Sequence, residues 1–428
     1  MSSSGPLRRR PTADVPGLKD EIIVLGAGMA GIATALALQA RGCTVALVDR
    51  KAPGRETSFG NAGVIQAEAV EPYAFPRGIG NIVRIAFGQG NAVSYHLSAV
   101  AAQARPLWHY WRASSPARHR AISQTYARLI RRATSDHAPL IDASGAGNLI
   151  RKDGFFQVHS NAASFADAAR MAERLQREHG VPSSALSGED MRRSEPALLQ
   201  TPAGAIRWHD SWTCTDPGAL VAGYAELFRR RGGSLAEGDA FSLHRDGAGW
   251  AVATSGGHLR AAQAVIALGP WSGQVLKPFG YRPLTVLKRG YHRQYAGGAL
   301  IRAPLVLADD GLVLAPMRDG LRLTTGAEIG HPDAPQTPRQ LQRAEARVAQ
   351  LLGSAPGPGG PPWMGTRPCM ADMLPVVGPA PRHPGLWFNF GHGHQGFTLG
   401  PTTAALLAEA MLGTPEALPS AVRPDGRV

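Results

Sequence analysis

Gly26, Gly28 and Gly31 stand in the spacing G-x-G-x-x-G, and Asp49 follows the first of them by 23 positions. Residue types in that order can hold a dinucleotide. The first glycine permits a tight turn, the second lets backbone approach a pyrophosphate, and the third lets a helix pack closely on a strand. The helix that follows offers its N-terminal amides and positive dipole end to phosphates. An acid about 20 residues on suits a ribose hydroxyl and selects against a 2′-phosphate. The elements that must position these groups surround them: Glu21–Leu25 reads as a buried parallel strand, Met29 to Ala40 as a helix, and Val45–Val48 as a second strand. A glycine triplet alone is often only a turn, but strand, helix, strand and terminal acid in series mark a dinucleotide site. Whether it takes a diffusing nicotinamide or a bound flavin, this stretch leaves open.

At 428 residues the chain suits two to three domain-sized units. Its 44% hydrophobic and 18% charged residues are those of an ordinary globular protein. The net charge of +13 raises the question of nucleic acid, yet all but five of the 45 basic residues are arginine, spread along the chain with no nucleic-acid motif. That reading is set aside, and a weak attraction to an anionic membrane surface is kept. Cys43, Cys214 and Cys369 have neither metal-ligand nor disulfide spacing, which points to a reducing, cytoplasmic setting without a metal site. No stretch is apolar for long enough to span a membrane. Residues 1–19 carry basic residues without an apolar core, and read as a disordered tail rather than a signal.

Along the chain, residues 81–160 are helical in texture, with Trp108 and Trp111 among many arginines. They read as packed helices with solvated arginine faces, or as a basic amphipathic surface at the inner face of a membrane. Strand patterns follow at Gly154–Ser160 and Ala205–Pro217, Asp216-Pro217 opens a helix to about Arg230, and Asp246-Gly247 marks a hairpin. From Pro283 to Glu328 the texture is β, and Thr337-Pro338 starts a further helix. The expected fold class is α/β: a Rossmann-like nucleotide-binding domain assembled from residues 20–80, 216–275 and 363–428, with a mixed-sheet domain from 81–215 and 276–362.

Two later stretches bear on the open question. "ETSFGNAGVIQAEAVEP" (Glu56 to Pro72) and "GTRPCMADMLPVVGPAPRHPGLWFNFGHGHQGFTLGPTTAALLAEAM" (Gly365 to Met411) join the glycine fingerprint in fixed order. Together they resemble the FAD-dependent D-amino-acid oxidoreductase superfamily, most closely its bacterial D-amino acid dehydrogenases, with glycine and sarcosine oxidases as more distant relatives. The resemblance implies FAD, with Gly26, Gly28, Gly31, Asp49 and Arg50 at its ADP half. Thr57, Ser58, Asn61 and Gly63 would run beside the pyrophosphate and flavin, and Gly269 and Trp271 would lie at a strand end near the cofactor. Gly393, Gly396, Phe397 and Thr398 would present helix-terminal amides to the flavin. No second glycine fingerprint for a nicotinamide is present.

The same resemblance implies oxidative deamination of a D-amino acid by hydride transfer from Cα to the flavin, with electrons passed to a quinone or other respiratory acceptor. Arg367, in Gly365-Thr366-Arg367-Pro368, matches the family arginine that grips the substrate carboxylate, where composition alone would make it a surface arginine. Tyr291 is expected to orient substrate or to pack in the core. His392 and His394 are candidate bases, though histidines in such loops are more often structural. Lys288 and Arg289 read as peripheral. Two departures from sarcosine oxidases matter: their FAD-bearing cysteine corresponds to Gly365, so FAD is expected to be non-covalent, and their oxygen-reducing lysine corresponds to Arg322, which favours a dehydrogenase. Alternative readings are a secondary or cyclic amino acid substrate (cis-4-hydroxy-D-proline, D-proline or sarcosine), or a flavin subunit of a heteromeric dehydrogenase.

Overall fold

The runs IIVL, VALV, AVI and LWFNF are apolar throughout, as strands buried on both faces must be. In the computed structural model they form the centre of an eight-stranded sheet. Its order is Gly257–Ala261, Gly249–Thr254, Ser234–Asp246, Thr44–Asp49, Glu21–Leu25, Gln263–Ile266, Leu386–Phe390, Val376–Pro379. The five strands from Ser234–Asp246 to Leu386–Phe390 run parallel, and the outer strands turn antiparallel. The structure describes residues 21–77, 93–297, 301–331, 333–353, 357–413, 416 and 418–428. The expected tail, 1–19, lies outside them.

Helix Met29–Gln39 packs on this sheet and against the last helix, Gly396–Leu412. Contact is close because Gly400 has no side chain: a Cβ there would lie 2.6 Å from Met29 Cγ. The two ends of the sequence thereby meet over one sheet. His137, buried in helix Ala133–Ser144, ties the junction, with Nε2 3.0 Å from the Phe397 carbonyl and Nδ1 3.2 Å from the Tyr224 hydroxyl. Burial pushes its imidazole down to about 4, so it is neutral. The helix expected after Asp216 spans Pro217–Arg230. Asp216 accepts from the Ala219 amide at 2.9 Å, a cap worth about 1 kcal/mol.

A ten-stranded mixed sheet forms the second layer, centred on Thr285–Tyr295 and Gly320–Thr325. The segment division expected from sequence put 363–428 wholly with the first sheet. Instead Trp363–Met370 pairs along its length with Thr285–Tyr295, and the chain enters the first sheet only at Val376. Backbone pairing sets the boundary there, and no Gly/Pro-rich linker marks it. A three-stranded ribbon of Val64–Ile65, Trp212–Cys214 and Ile150–Arg151 completes the sheets. Among the described residues no helix is long and apolar enough to cross a membrane.

Candidate active site

One long cavity joins the residues that the sequence singled out. Gly26, Gly28 and Asp49 lie on its wall, with Thr57, Ser58 and Asn61, then Gly269 and Trp271, and finally Arg367, Gly393, His394, Gly396 and Phe397.

The glycine turn is built as its spacing requires. Gly26 has φ +107°, and a Cβ there would fall 2.5 Å from the Ala267 carbonyl oxygen. A Cβ on Gly31 would fall 1.7 Å from the Gly26 carbonyl oxygen, so this glycine serves helix-to-strand packing and does not line the cavity. At Gly28 a Cβ would meet only Ser58 Oγ, at 3.5 Å. Asp49 accepts from the Ala27 amide at 2.6 Å and the Lys51 amide at 3.0 Å, which fixes the acid beside the turn. Ser58 Oγ accepts from Met29 N at 3.1 Å at the start of the helix. Arg50 lies over the Trp271 ring at 4.6 Å. Asn389 lines the wall and keeps a buried Oδ1 without a hydrogen-bond partner. An open groove over Gly28, helix-start backbone, a ribose-type acid and an orphaned buried acceptor fit an extended dinucleotide.

Two further expected cofactor residues stand back from the cavity, as Gly31 does. Gly63 takes φ +79° because a Cβ would strike the Cys214 carbonyl oxygen at 2.1 Å, so it shapes the ribbon. The buried Thr398 hydroxyl accepts from Gln66 N at 3.3 Å and thereby holds the Gln66 segment to the last helix.

Arg367 is positioned by a glycine on the neighbouring strand. A Cβ on Gly290 would lie 2.6 Å from Nη2 of Arg367, so the bare backbone makes room for the guanidinium. That group donates to the carbonyls of Gly326 (2.9 Å) and Thr325 (3.3 Å). Burial lowers its pKa, and no carboxylate offsets this. Among the described residues, its ion-pair partner is missing. A partly buried guanidinium on a cavity wall with neutral partners suits an anion.

His394 is also in the cavity, its ring 5.0 Å from that of Tyr73. Burial, then the charges of Arg367 and Lys288, push its imidazole down to about 3. It is therefore a neutral hydrogen-bonding wall at working pH and a poor base. His394→Asn is expected to keep the shape of the kcat/KM–pH profile between about pH 5.5 and 8, since the free imidazole value is about 6.5. Loss of a limb in that range would contradict the assignment. His392 also borders the cavity, but its Nε2 is engaged 2.9 Å from the Thr403 hydroxyl, and its backbone bridges to Cys369.

Tyr291 borders the cavity but is packed in the core, one of the two expected placements. Its buried hydroxyl points into a cluster, donating to Glu328 Oε2 at 2.7 Å and accepting from Arg289 at 3.0 Å and the Thr337 amide at 3.0 Å. Arg289, expected to be peripheral, is wholly buried; its Nε donates to Glu328 at 2.7 Å and its other nitrogens reach the carbonyls of His331, Ala334 and Pro335. Burial alone would raise the Glu328 pKa, but hydrogen bonds from Thr337, Tyr291, His96 and Arg289 outweigh it and hold the carboxyl below 4.5. Its folded pKa is depressed, so its contribution to stability is present above about 4.5 and is lost as pH falls through the folded value. Glu328→Ala strands a buried guanidinium and is expected to cost about 3–5 kcal/mol in chemical denaturation at pH 7. The deficit should shrink at acid pH.

Gln66, Tyr73 and Trp363 also line the cavity, though no local signal marked them. Gln66 links it to a buried carboxyl: Gln395 Nε2 donates to Gln66 Oε1 at 2.5 Å, and Gln66 Nε2 donates to Glu68 at 2.5 Å. Trp363 stacks on His292 with centroids 4.8 Å apart. The surface grouping of Glu71, Glu178 and His179 is no metal site in this state, since Arg174 donates to both carboxylates.

The fold and the cavity together define a dinucleotide-binding protein. The chain belongs to the family described as FAD dependent oxidoreductase, whose model matches residues 21–410. It is an FAD-dependent enzyme. It is 31% identical over 413 residues to a D-amino acid dehydrogenase of Cereibacter sphaeroides, covering 94% of this chain and 93% of that one. To a glycine oxidase of Pseudomonas aeruginosa it is 26% identical, over 96% and 100% of the two chains. Among solved structures, glycine oxidase from Geobacillus kaustophilus has the same fold, with TM-score 0.70 and 22% identity over 91% of this chain and 93% of that one.

Proposed function

We propose that the protein oxidatively deaminates a D-amino acid and passes the electrons to a quinone-type respiratory acceptor. The observation that carries this reading is Arg367: a partly buried guanidinium on the wall of the cavity that also holds the nucleotide turn, without a protein carboxylate among the described residues. The names of the relatives support an amino acid as the owner of the missing carboxylate.

Bound along the cavity, FAD would supply the two-electron acceptor. Gly26, Gly28 and the start of helix Met29–Gln39 would hold its pyrophosphate, and Asp49 its ribose. Arg367 takes the carboxylate in two parallel hydrogen bonds and so fixes the direction of the Cα–H bond. The same cation disfavours the substrate ammonium and helps it lose a proton. His394 remains neutral and needs no proton of its own. The imino acid product hydrolyses in water once released.

Two features support the finer points. At the position where the resemblance would put an attachment cysteine, a Cβ on Gly365 would fall 2.2 Å from the Trp363 ring, which favours non-covalent FAD. Arg322, at the position of the oxygen-reducing lysine, is committed to the carbonyls of Phe59 (2.8 Å) and Asn61 (2.7 Å), and burial brings it down to about 10. It fastens the cofactor segment to the second sheet. For contact with a quinone-bearing membrane, the supporting feature is the exposed Trp108, stacked on Trp111 at 5.0 Å with Arg77 over Trp111.

The test is initial rates with D- and L-alanine, using a quinone analogue in one assay and oxygen in another. The D-enantiomer should react, and quinone reduction should outrun peroxide formation. Reaction of the L-enantiomer alone, or faster turnover with oxygen, would overturn the corresponding part of the reading.

A further inference from the structure

Pairing of Thr285–Tyr295 with Trp363–Met370 sets Lys288 directly opposite Arg367, Gly290 opposite Gly365, and His292 opposite Trp363. Residues opposite one another on antiparallel strands project from one face. Gly290, Trp363, Gly365 and Arg367 line the cavity; Lys288 shares their face of the sheet beside Arg367, set back from the wall itself.

Lys288 is not peripheral, as its sequence context implied. It is partly buried, with Nζ 4.5 Å from the Tyr110 ring and 3.5 Å from its hydroxyl. Tyr110 in turn donates to the carbonyl of Tyr73, a cavity residue, at 2.6 Å. No carboxylate among the described residues faces either cation. Both charges act on His394 in the cavity. A neutral amino acid brings a single carboxylate, which Arg367 alone can hold. A second cation at the same end, without a protein acid, is a cost that such a substrate does not require.

We propose that Lys288 receives a second anionic group, and that the preferred substrates are dicarboxylic amino acids of the aspartate and glutamate type. This rests on the reading of Arg367 as the clamp for the α-carboxylate. Opposed side chains on paired strands start about 4.5–5.5 Å apart, a spacing that matches the two carboxylates of a short dicarboxylic acid. The Arg367 guanidinium lies over Gly290 and the Trp363 ring over Gly365, so the two glycines let these side chains lie close to the sheet beside Lys288.

The experiment compares glutarate with butyrate as non-oxidisable ligands of the FAD-loaded protein, read by perturbation of the flavin absorbance and by thermal stabilisation. It is paired with anaerobic flavin reduction by D-glutamate and D-alanine. Glutarate should bind the wild type more tightly than butyrate, and Lys288→Met should reduce that preference by about 10- to 100-fold, while Lys288→Arg retains it. Equal binding of the two ligands by the wild type, or an unchanged preference in Lys288→Met, overturns the inference. If D-alanine reduces the flavin and D-glutamate does so no better, the inference fails and the amino acid reading stands. If no amino acid reduces it and neither ligand binds, both fail together.

Discussion

Arg367→Met is expected to lower kcat/KM for the amino acid substrate by about 30- to several-thousandfold, the equivalent of about 2–5 kcal/mol for losing one partner of a buried charge pair. The FAD content should be retained, because Arg367 is held by the carbonyls of Thr325 and Gly326 in the second sheet, whereas the glycine turn and Asp49 belong to the first. Arg367→Lys keeps the charge but not the planar fork, and should recover only part of the loss. Gly290→Ala provides an independent route to the same effect. Its Cβ would lie 2.6 Å from Nη2 and 2.7 Å from Cζ of Arg367, so the guanidinium must move while its chemistry is unchanged. Steady-state kinetics on protein of matched flavin content checks all three. Full activity in Arg367→Met would remove the carboxylate clamp from the account.

Gly31→Ala should give a colourless, destabilised protein. The added Cβ would lie 1.7 Å from the Gly26 carbonyl oxygen, a backbone atom that cannot rotate away. Relief requires opening the turn that presents the pyrophosphate site, at a cost of about 3 kcal/mol or more. Gly28→Ala is the contrast: its Cβ meets only Ser58 Oγ at 3.5 Å, an ordinary contact. That variant should fold and lose FAD affinity alone, because the methyl group fills the approach to the phosphates. Flavin absorbance and denaturant unfolding of the two variants separate packing from binding.

The local rules of the chain made much of this legible. The glycine spacing, the apolar runs and Asp49 describe one contiguous βαβ unit, and near neighbours in sequence fix its geometry. Arg367 was legible only through the motif around it, since composition makes it one arginine among many. What remained hidden depends on pairing between distant strands. Lys288 shares the face of Arg367, and Arg289 turns to the Glu328 cluster, because adjacent residues on a strand point to opposite faces. Nothing local says which face is which until Thr285–Tyr295 is paired with Trp363–Met370. The Tyr291 hydroxyl was left open between two placements for the same reason, since its partners Glu328 and Thr337 come from two further elements. Trp363 and Gly365 were placed with the first sheet because no linker marks the crossing.

The central claim is that one cavity holds FAD at the glycine turn and an amino acid carboxylate at Arg367. Its most direct measurement is an anaerobic titration of the FAD-loaded protein with D- and L-amino acids, following the flavin absorbance. The account predicts stoichiometric bleaching by D-amino acids in the wild type, and none at the same concentrations in Arg367→Met with the same flavin content. A wild-type protein that stays yellow with every amino acid, or an Arg367→Met variant that bleaches as readily, would contradict it.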